Sequence, residues 1–185
     1  VTDRGQNIWD KKSTPDGALS AGAREVFLLE EPMAAALGAR LPVYEATGNL
    51  VVDIGGGTTE IALISLGGLV VNESLKLAGN KLTQDIIQYI RDQYDLLIGF
   101  RTAEDLKIAI GSAYPLRQGL KKAIRGRDLI SGLPKEITVN NDEVREAIER
   151  SLKTLIAHIK NIVEKSPPEL VADLMTRGII MVGGG

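Results

Sequence analysis

The run Asp53-Ile54-Gly55-Gly56-Gly57-Thr58-Thr59 is the part of this sequence whose residue types best suit a nucleoside phosphate. Glycines let backbone N–H groups approach phosphate oxygens with no Cβ in the way, and they accept the unusual dihedrals of a tight turn. A carboxylate at the end of an apolar strand, Asp53, suits a magnesium ion held through water, because magnesium keeps much of its hydration shell when it binds nucleotide phosphates. Thr58 supplies a hydroxyl where a γ-phosphate or an attacking water would sit. The competing reading is a plain glycine turn with an exposed aspartate, since the run is shorter than a P-loop and lacks its lysine.

Glu31 is the second residue with chemical potential. A carboxylate fixed just before Pro32, at the mouth of a helix, can orient water for attack on a phosphoanhydride, or it can simply favour the helix start through the macrodipole. The remaining candidates read as structural. His158 has no second His or Cys beside it, and Tyr89, Tyr94 and Trp9 read as packing residues. Lys121, Lys122, Arg125 and Arg127 read as the solvated face of a hairpin.

These residues need elements to hold them. Residues 1–20 show no sustained apolar period and include Ser13-Thr14-Pro15-Asp16-Gly17, so they are expected to be loop or poorly ordered. Glu25 to Leu29 reads as a short buried strand, followed by a helix over Met33 to Gly38 with Pro32 in its first turn. Three strands, Leu50–Ile54, Thr58–Leu66 and Leu69–Leu77, should form an antiparallel meander. Helices are expected over 81–94 and 103–112, the latter capped by Thr102 with Asp105 as box partner. A small hairpin between Pro115 and Asn140 precedes a long amphipathic helix from Asp142 to Lys165. Its cap is expected at Asn141 and its apolar face at Val144, Ile148, Leu152, Leu155, Ile156, Ile159 and Val163. Pro167-Pro168 stops it; a short helix over 168–176 and a strand over Gly178–Val182, laid against the meander, finish the order.

At 185 residues the chain has room for one substantial core or two modest lobes. Its 22 basic and 24 acidic side chains give a formal charge of −2, which argues against a dedicated nucleic-acid binder. There is no cysteine, hence no disulfide framework or thiolate metal site. No run reaches the ~18 apolar residues of a membrane span, so a cytoplasmic protein is expected, with membrane association through other parts of a full-length protein left open.

The segments Glu30-Glu31-Pro32-Met33-Ala34-Ala35-Ala36, Val51-Val52-Asp53-Ile54-Gly55-Gly56-Gly57-Thr58-Thr59-Glu60 and Ile110-Gly111-Ser112-Ala113-Tyr114-Pro115 closely resemble the MreB/Mbl family of bacterial actin-like cell-shape proteins. Ala21 to Val26, Arg125 to Leu129 and Pro167 to Leu170 extend the likeness, which runs in one order over about residues 20–185. It implies an α/β, actin-like ATPase fold of the ribonuclease-H-like kind, mainly its second lobe with a remnant of the first. The implied divisions are 1–20 unmatched, 21–47 the remnant and interlobe helix, 48–78 with 142–185 the second-lobe core, and 79–141 a smaller subdomain. By the same resemblance Glu31 positions the hydrolytic water, Asp53 acts through magnesium, and Gly55, Gly56, Gly57 and Thr58 hold the phosphates of ATP. Gly79 would border the ribose, Lys107 would touch the nucleotide, and Gly183, Gly184 and Gly185 would line the adenosine. The implied partners are further copies, in filaments, and the cell-wall elongation machinery at the inner membrane, with no nucleic acid.

Against the family's pattern, residues 1–20 do not match its first phosphate loop, Ala109 replaces an acidic residue, and Ala78 replaces a glycine. Two readings therefore stand: an ATP-binding cytoskeletal protein or a fragment of one, inactive in hydrolysis alone, and a degenerate interaction module without turnover. A chaperone or sugar-kinase relative of the same fold is the third and weakest.

Overall fold

The computed structural model describes residues 15–185. Trp9 and the loop expected over residues 1–14 lie outside them. The chain forms two compact units, one built from residues up to Lys76 together with Ile159–Gly184, the other from Leu77–His158 with Gly185.

The first unit is organised on a four-stranded sheet. The strands β1 (Asn49–Ile54), β2 (Thr59–Ser65) and β3 (Gly68–Leu75) form the expected antiparallel meander, and β7 (Ile179–Gly183) adds to β1 in parallel. Every residue of β2 is buried, which explains its unbroken Ile61-Ala62-Leu63-Ile64 run: a strand covered on both faces has no polar side to alternate with. One face packs Val51, Ala62 and Ile64 against Met33 and Ala36 of α1 (Glu31–Gly38) and against Val43. Pro32 occupies the first turn of α1, as expected, and leaves Glu31 at the helix mouth.

Two expectations for this unit fail. Residues 15–20, read as loop, are helical, with Pro15 at the start of the described run, a position where a missing N–H costs nothing. Glu25 to Leu29, read as a buried strand, is unpaired among the described residues, and Phe27 is 85% exposed. An apolar run becomes a strand only when another strand takes up its backbone groups, and none here does.

In the second unit, α2 (Gly79–Tyr94) and α3 (Phe100–Ile110) accompany a three-stranded sheet of β4 (Leu96–Leu97), β5 (Lys121–Asp128) and β6 (Pro134–Asn140). Ile86, Ile90, Leu96, Leu106, Ile124, Val139, Val144 and Ile148 form its core. The hairpin is in register from Lys121–Asn140 to Arg127–Pro134. Gly126 is required there, because a Cβ would come within 2.9 Å of Leu96 Cγ.

Three details differ from the sequence-based expectation. Helix α3 begins at Phe100 with Gly99 before it, so Thr102 and Asp105 lie inside the helix instead of capping it. For α4 (Asn141–Lys165), the cap is Asn140: its Oδ1 accepts from the Asp142 and Glu143 N–H groups, and Glu143 Oε2 accepts from the Asn140 N–H at 2.8 Å. Asn141 is buried and bridges to Leu120, donating its N–H to the Leu120 carbonyl and accepting the Leu120 N–H on Oδ1. Along the same helix Ile156, expected on the apolar face, is half exposed, and Ile162, not expected there, is buried. Pro167 precedes α5 (Pro168–Arg177), whose Asp173 carboxylate accepts the Gly48 N–H at 2.7 Å.

Candidate functional site

The turn between β1 and β2 closes on one hydrogen bond, Gly55 N–H to Thr58 O, at 2.9 Å. Gly56, Gly57 and Thr58 are exposed, and nothing lies within 4 Å of where a Cβ on Gly57 would project. This is an open turn edged by glycine backbone, the kind of surface on which N–H groups meet an anion.

Asp53 is half buried at the end of β1, paired across the ladder with Glu60. Its carboxylate lies over Gly183: a Cβ on that residue would stand 2.7 Å from Asp53 Oδ1 and would also run into the Ile54 carbonyl. With φ at +98°, Gly183 is excluded to other residues on backbone grounds as well. Gly183, the last residue of β7, thus lets the chain pass directly beside Asp53.

Glu60 is the residue that reading the sequence missed. It is 3% exposed and accepts the Ser74 hydroxyl at 2.5 Å. Burial is the main cause pushing its carboxyl above the usual range; the Ser74 hydrogen bond opposes this, and the negative charges of Glu31 and Asp53 add to it. Glu60 therefore feels the charges of both Glu31 and Asp53 beside the glycine turn. The signal in the sequence was an acid immediately before the apolar run Ile61-Ala62-Leu63-Ile64 of the same strand. Among the described residues no three of His, Cys, Asp or Glu converge tightly enough to cage an ion directly. The donor set suits an ion that keeps its water and reaches the protein through Asp53.

Gly79, Lys107 and Gly185 belong to the second unit. There Lys107 Nζ donates to the Gly79 carbonyl at 3.1 Å and pairs with Glu104 at 3.0 Å, while the fully buried Thr83 hydroxyl bonds Glu104. The Thr83 hydrogen bond is the main cause of a lowered Glu104 carboxyl, with Lys107 assisting. A Cβ on Gly79 would meet Gly185 Cα at 2.8 Å, so these two glycines touch backbone to backbone. Glu104 and Thr83 were not singled out from sequence; Glu104 stands one helical turn before Lys107, a spacing at which opposite charges meet.

The MreB/Mbl protein family model matches residues 6–185. The cell shape-determining protein Mbl of Bacillus subtilis (strain 168) is 47% identical over 176 residues, covering 95% of this chain and 53% of Mbl. The cell shape-determining protein MreB of Escherichia coli (strain K12) is 48% identical over 176 residues, 95% of this chain and 51% of that protein. The crystal structure of MreB 5 of Spiroplasma citri bound to AMPPNP superposes with a TM-score of 0.94 at 40% identity, over 98% of this chain and 54% of the other. The MamK double helical filament, at 22% identity and a TM-score of 0.77, shares the fold. The chain spans about half the length of the curated relatives it matches, and its fold is that of the actin-like ATPases. With nearly half its residues identical to named relatives and a family match over almost its whole length, this chain belongs to the MreB/Mbl family.

Proposed function

We propose that this chain carries one side of the nucleotide clamp of an ATP-binding, filament-forming cell-shape protein. The observation that supports it best is the juxtaposition at the end of β1: an open glycine turn, the Asp53 carboxylate, and a second glycine run pressed against that carboxylate. In this reading Gly55, Gly56, Gly57 and Thr58 receive the phosphates of ATP. Asp53 holds magnesium through water, and Glu31, in the first turn of α1, orients the attacking water. By the family resemblance, Gly183, Gly184 and Gly185 line the adenosine, Gly79 borders the ribose and phosphates, and Lys107 touches the nucleotide. Magnesium would offset the negative charge that Asp53 and Glu31 add around Glu60. Residues 21–47 then stand as the remnant of a first lobe, 48–78 with 142–185 as the second-lobe core, and 79–141 as its smaller subdomain. The whole protein would assemble with its own copies in the cytoplasm and direct wall synthesis at the inner membrane.

Titration calorimetry of the purified protein with ATP and magnesium tests this. Saturable micromolar binding is expected, with affinity lost about a hundredfold in Asp53→Ala, the scale of about 2.7 kcal/mol. Absence of saturable heat from the unaltered protein would overturn the reading and leave the non-enzymatic interaction module.

A further inference from the structure

Glu60 is an acid in a place that suits an apolar residue. It is the only charged member of β2, a strand buried along its whole length, and is itself 3% exposed. Burying a carboxylate works against the fold, so its presence points to a use for the charge. The side chain is also held in one place: Oε1 accepts the Ser74 hydroxyl at 2.5 Å, a bond that favours the ionised form.

The ladder fixes what Glu60 faces. Directly opposed residues of an antiparallel pair lie on one side of the sheet, with Cβ atoms about 4.5–5.5 Å apart. The register runs from Asp53 through Glu60 to Ser74 across β1, β2 and β3. Val51 and Ala62, two residues before Asp53 and two after Glu60, are opposed to each other and pack on Met33 and Ala36 of α1. Asp53 and Glu60 therefore point to the side of the sheet that α1 covers. Glu31 opens α1, and its charge and that of Asp53 both act on Glu60.

Depth separates the roles of the two opposed acids. Asp53 is half buried beside Gly183 and the glycine turn, whereas Glu60 lies too deep to touch a ligand there. Glu60 acts through its field, and a charge inside the protein is felt across several ångströms over which water would screen it. A nucleoside triphosphate without metal brings net negative charge into that field. Magnesium neutralises part of this charge and adds a positive centre of its own. The field thus weighs against the bare nucleotide and far less against the metal-loaded one.

We infer that Glu60 is a specificity-determining residue: its buried carboxylate, held opposite Asp53 by Ser74, makes the glycine turn take a nucleotide together with a divalent cation and reject the nucleotide alone. The inference rests on the nucleotide binding proposed above and assigns the metal dependence of that binding to one side chain. Titration of the purified protein with a fluorescent ATP analogue, in magnesium and again in EDTA, tests it. Glu60→Gln keeps the shape and an acceptor for Ser74 and removes only the charge. It is expected to bind the metal-free analogue roughly tenfold more tightly than the unaltered protein, with affinity in magnesium within about threefold, so the preference for the metal-loaded form shrinks. Glu60→Asp retains the charge and should retain the preference. A merely structural role for Glu60 would instead weaken both affinities together. Glu60→Met, uncharged and close in volume, carries the same expectation should the glutamine variant fail to melt cooperatively. A folded, uncharged variant whose preference for the metal-loaded analogue is unchanged, or whose two affinities fall together, overturns the inference. An unaltered protein that binds the analogue in neither condition defeats the nucleotide reading itself, and this inference with it.

Discussion

The glycine turn of the first unit and the Lys107 cluster of the second differ in what they have left to bind. At the turn the charges of Glu31 and Asp53 act against that of Glu60, Gly57 faces open space, and the turn closes on a single hydrogen bond. In the cluster every charge is matched: Lys107 has Gly79 O and Glu104, and Glu104 also has Thr83. An electrostatically unsatisfied surface gains from a ligand, whereas a satisfied one must first give up its internal bonds. In the function proposed above the turn would be the seat of affinity, while the Lys107 cluster holds the start of α2 in place.

The largest test of that contrast is Gly183→Ala. The new Cβ meets Asp53 and the Ile54 carbonyl at a backbone conformation unsuited to alanine, so a loss of about 3 kcal/mol in urea unfolding is expected together with loss of nucleotide binding. Next in size is Lys107→Met, expected to cost about 1 kcal/mol through the lost hydrogen bond to Gly79 while changing ATP affinity far less than Asp53→Ala does. Affinity that falls as far as in Asp53→Ala would erase the distinction between the two regions. The smallest effects are pH dependences of opposite sign. Glu60 has a raised folded pKa, so its unfavourable contribution is present at neutral pH and fades as pH falls below its folded pKa toward the unfolded range, near 4.3. Glu60→Gln should be more stable than the unaltered protein at pH 7 and equal to it near pH 3.5, as read by thermal melts. Glu104 has a lowered pKa, so its stabilisation is fully present above the unfolded value and lost as pH falls through the lower folded one. Glu104→Gln should accordingly be less stable at pH 7, with the gap closing only in stronger acid.

Much of this was legible because local signals agreed with the tertiary environment. The meander follows from three apolar runs punctuated by glycine pairs, and the parallel addition of β7 agrees with a final apolar run placed beside the first strand. The family resemblance singled out Asp53, Gly183 and Lys107, and the structure places them in distinct surroundings that the sequence could not show. What stayed hidden depended on partners distant in the chain. Asn140 became the cap of α4 because Asn141 was claimed by Leu120, a contact across the base of the hairpin. Glu60 looked like an ordinary polar residue until the sheet buried it beside Asp53. The run from Glu25 to Leu29 carried a strand's composition without a strand's neighbour.

The parallel pairing of β1 with β7 also sets a timetable for synthesis. Leu50 aligns with Ile179, roughly 130 residues later in the chain, whereas β1, β2 and β3 pair as soon as each emerges. At ribosomal speeds of about 5–20 residues per second, the far edge of β1 waits on the order of ten seconds for β7. During that interval the nascent meander exposes an apolar strand edge to every other chain nearby, and the run from Ile179 to Gly183, whose last residue borders Asp53, is what finally closes it.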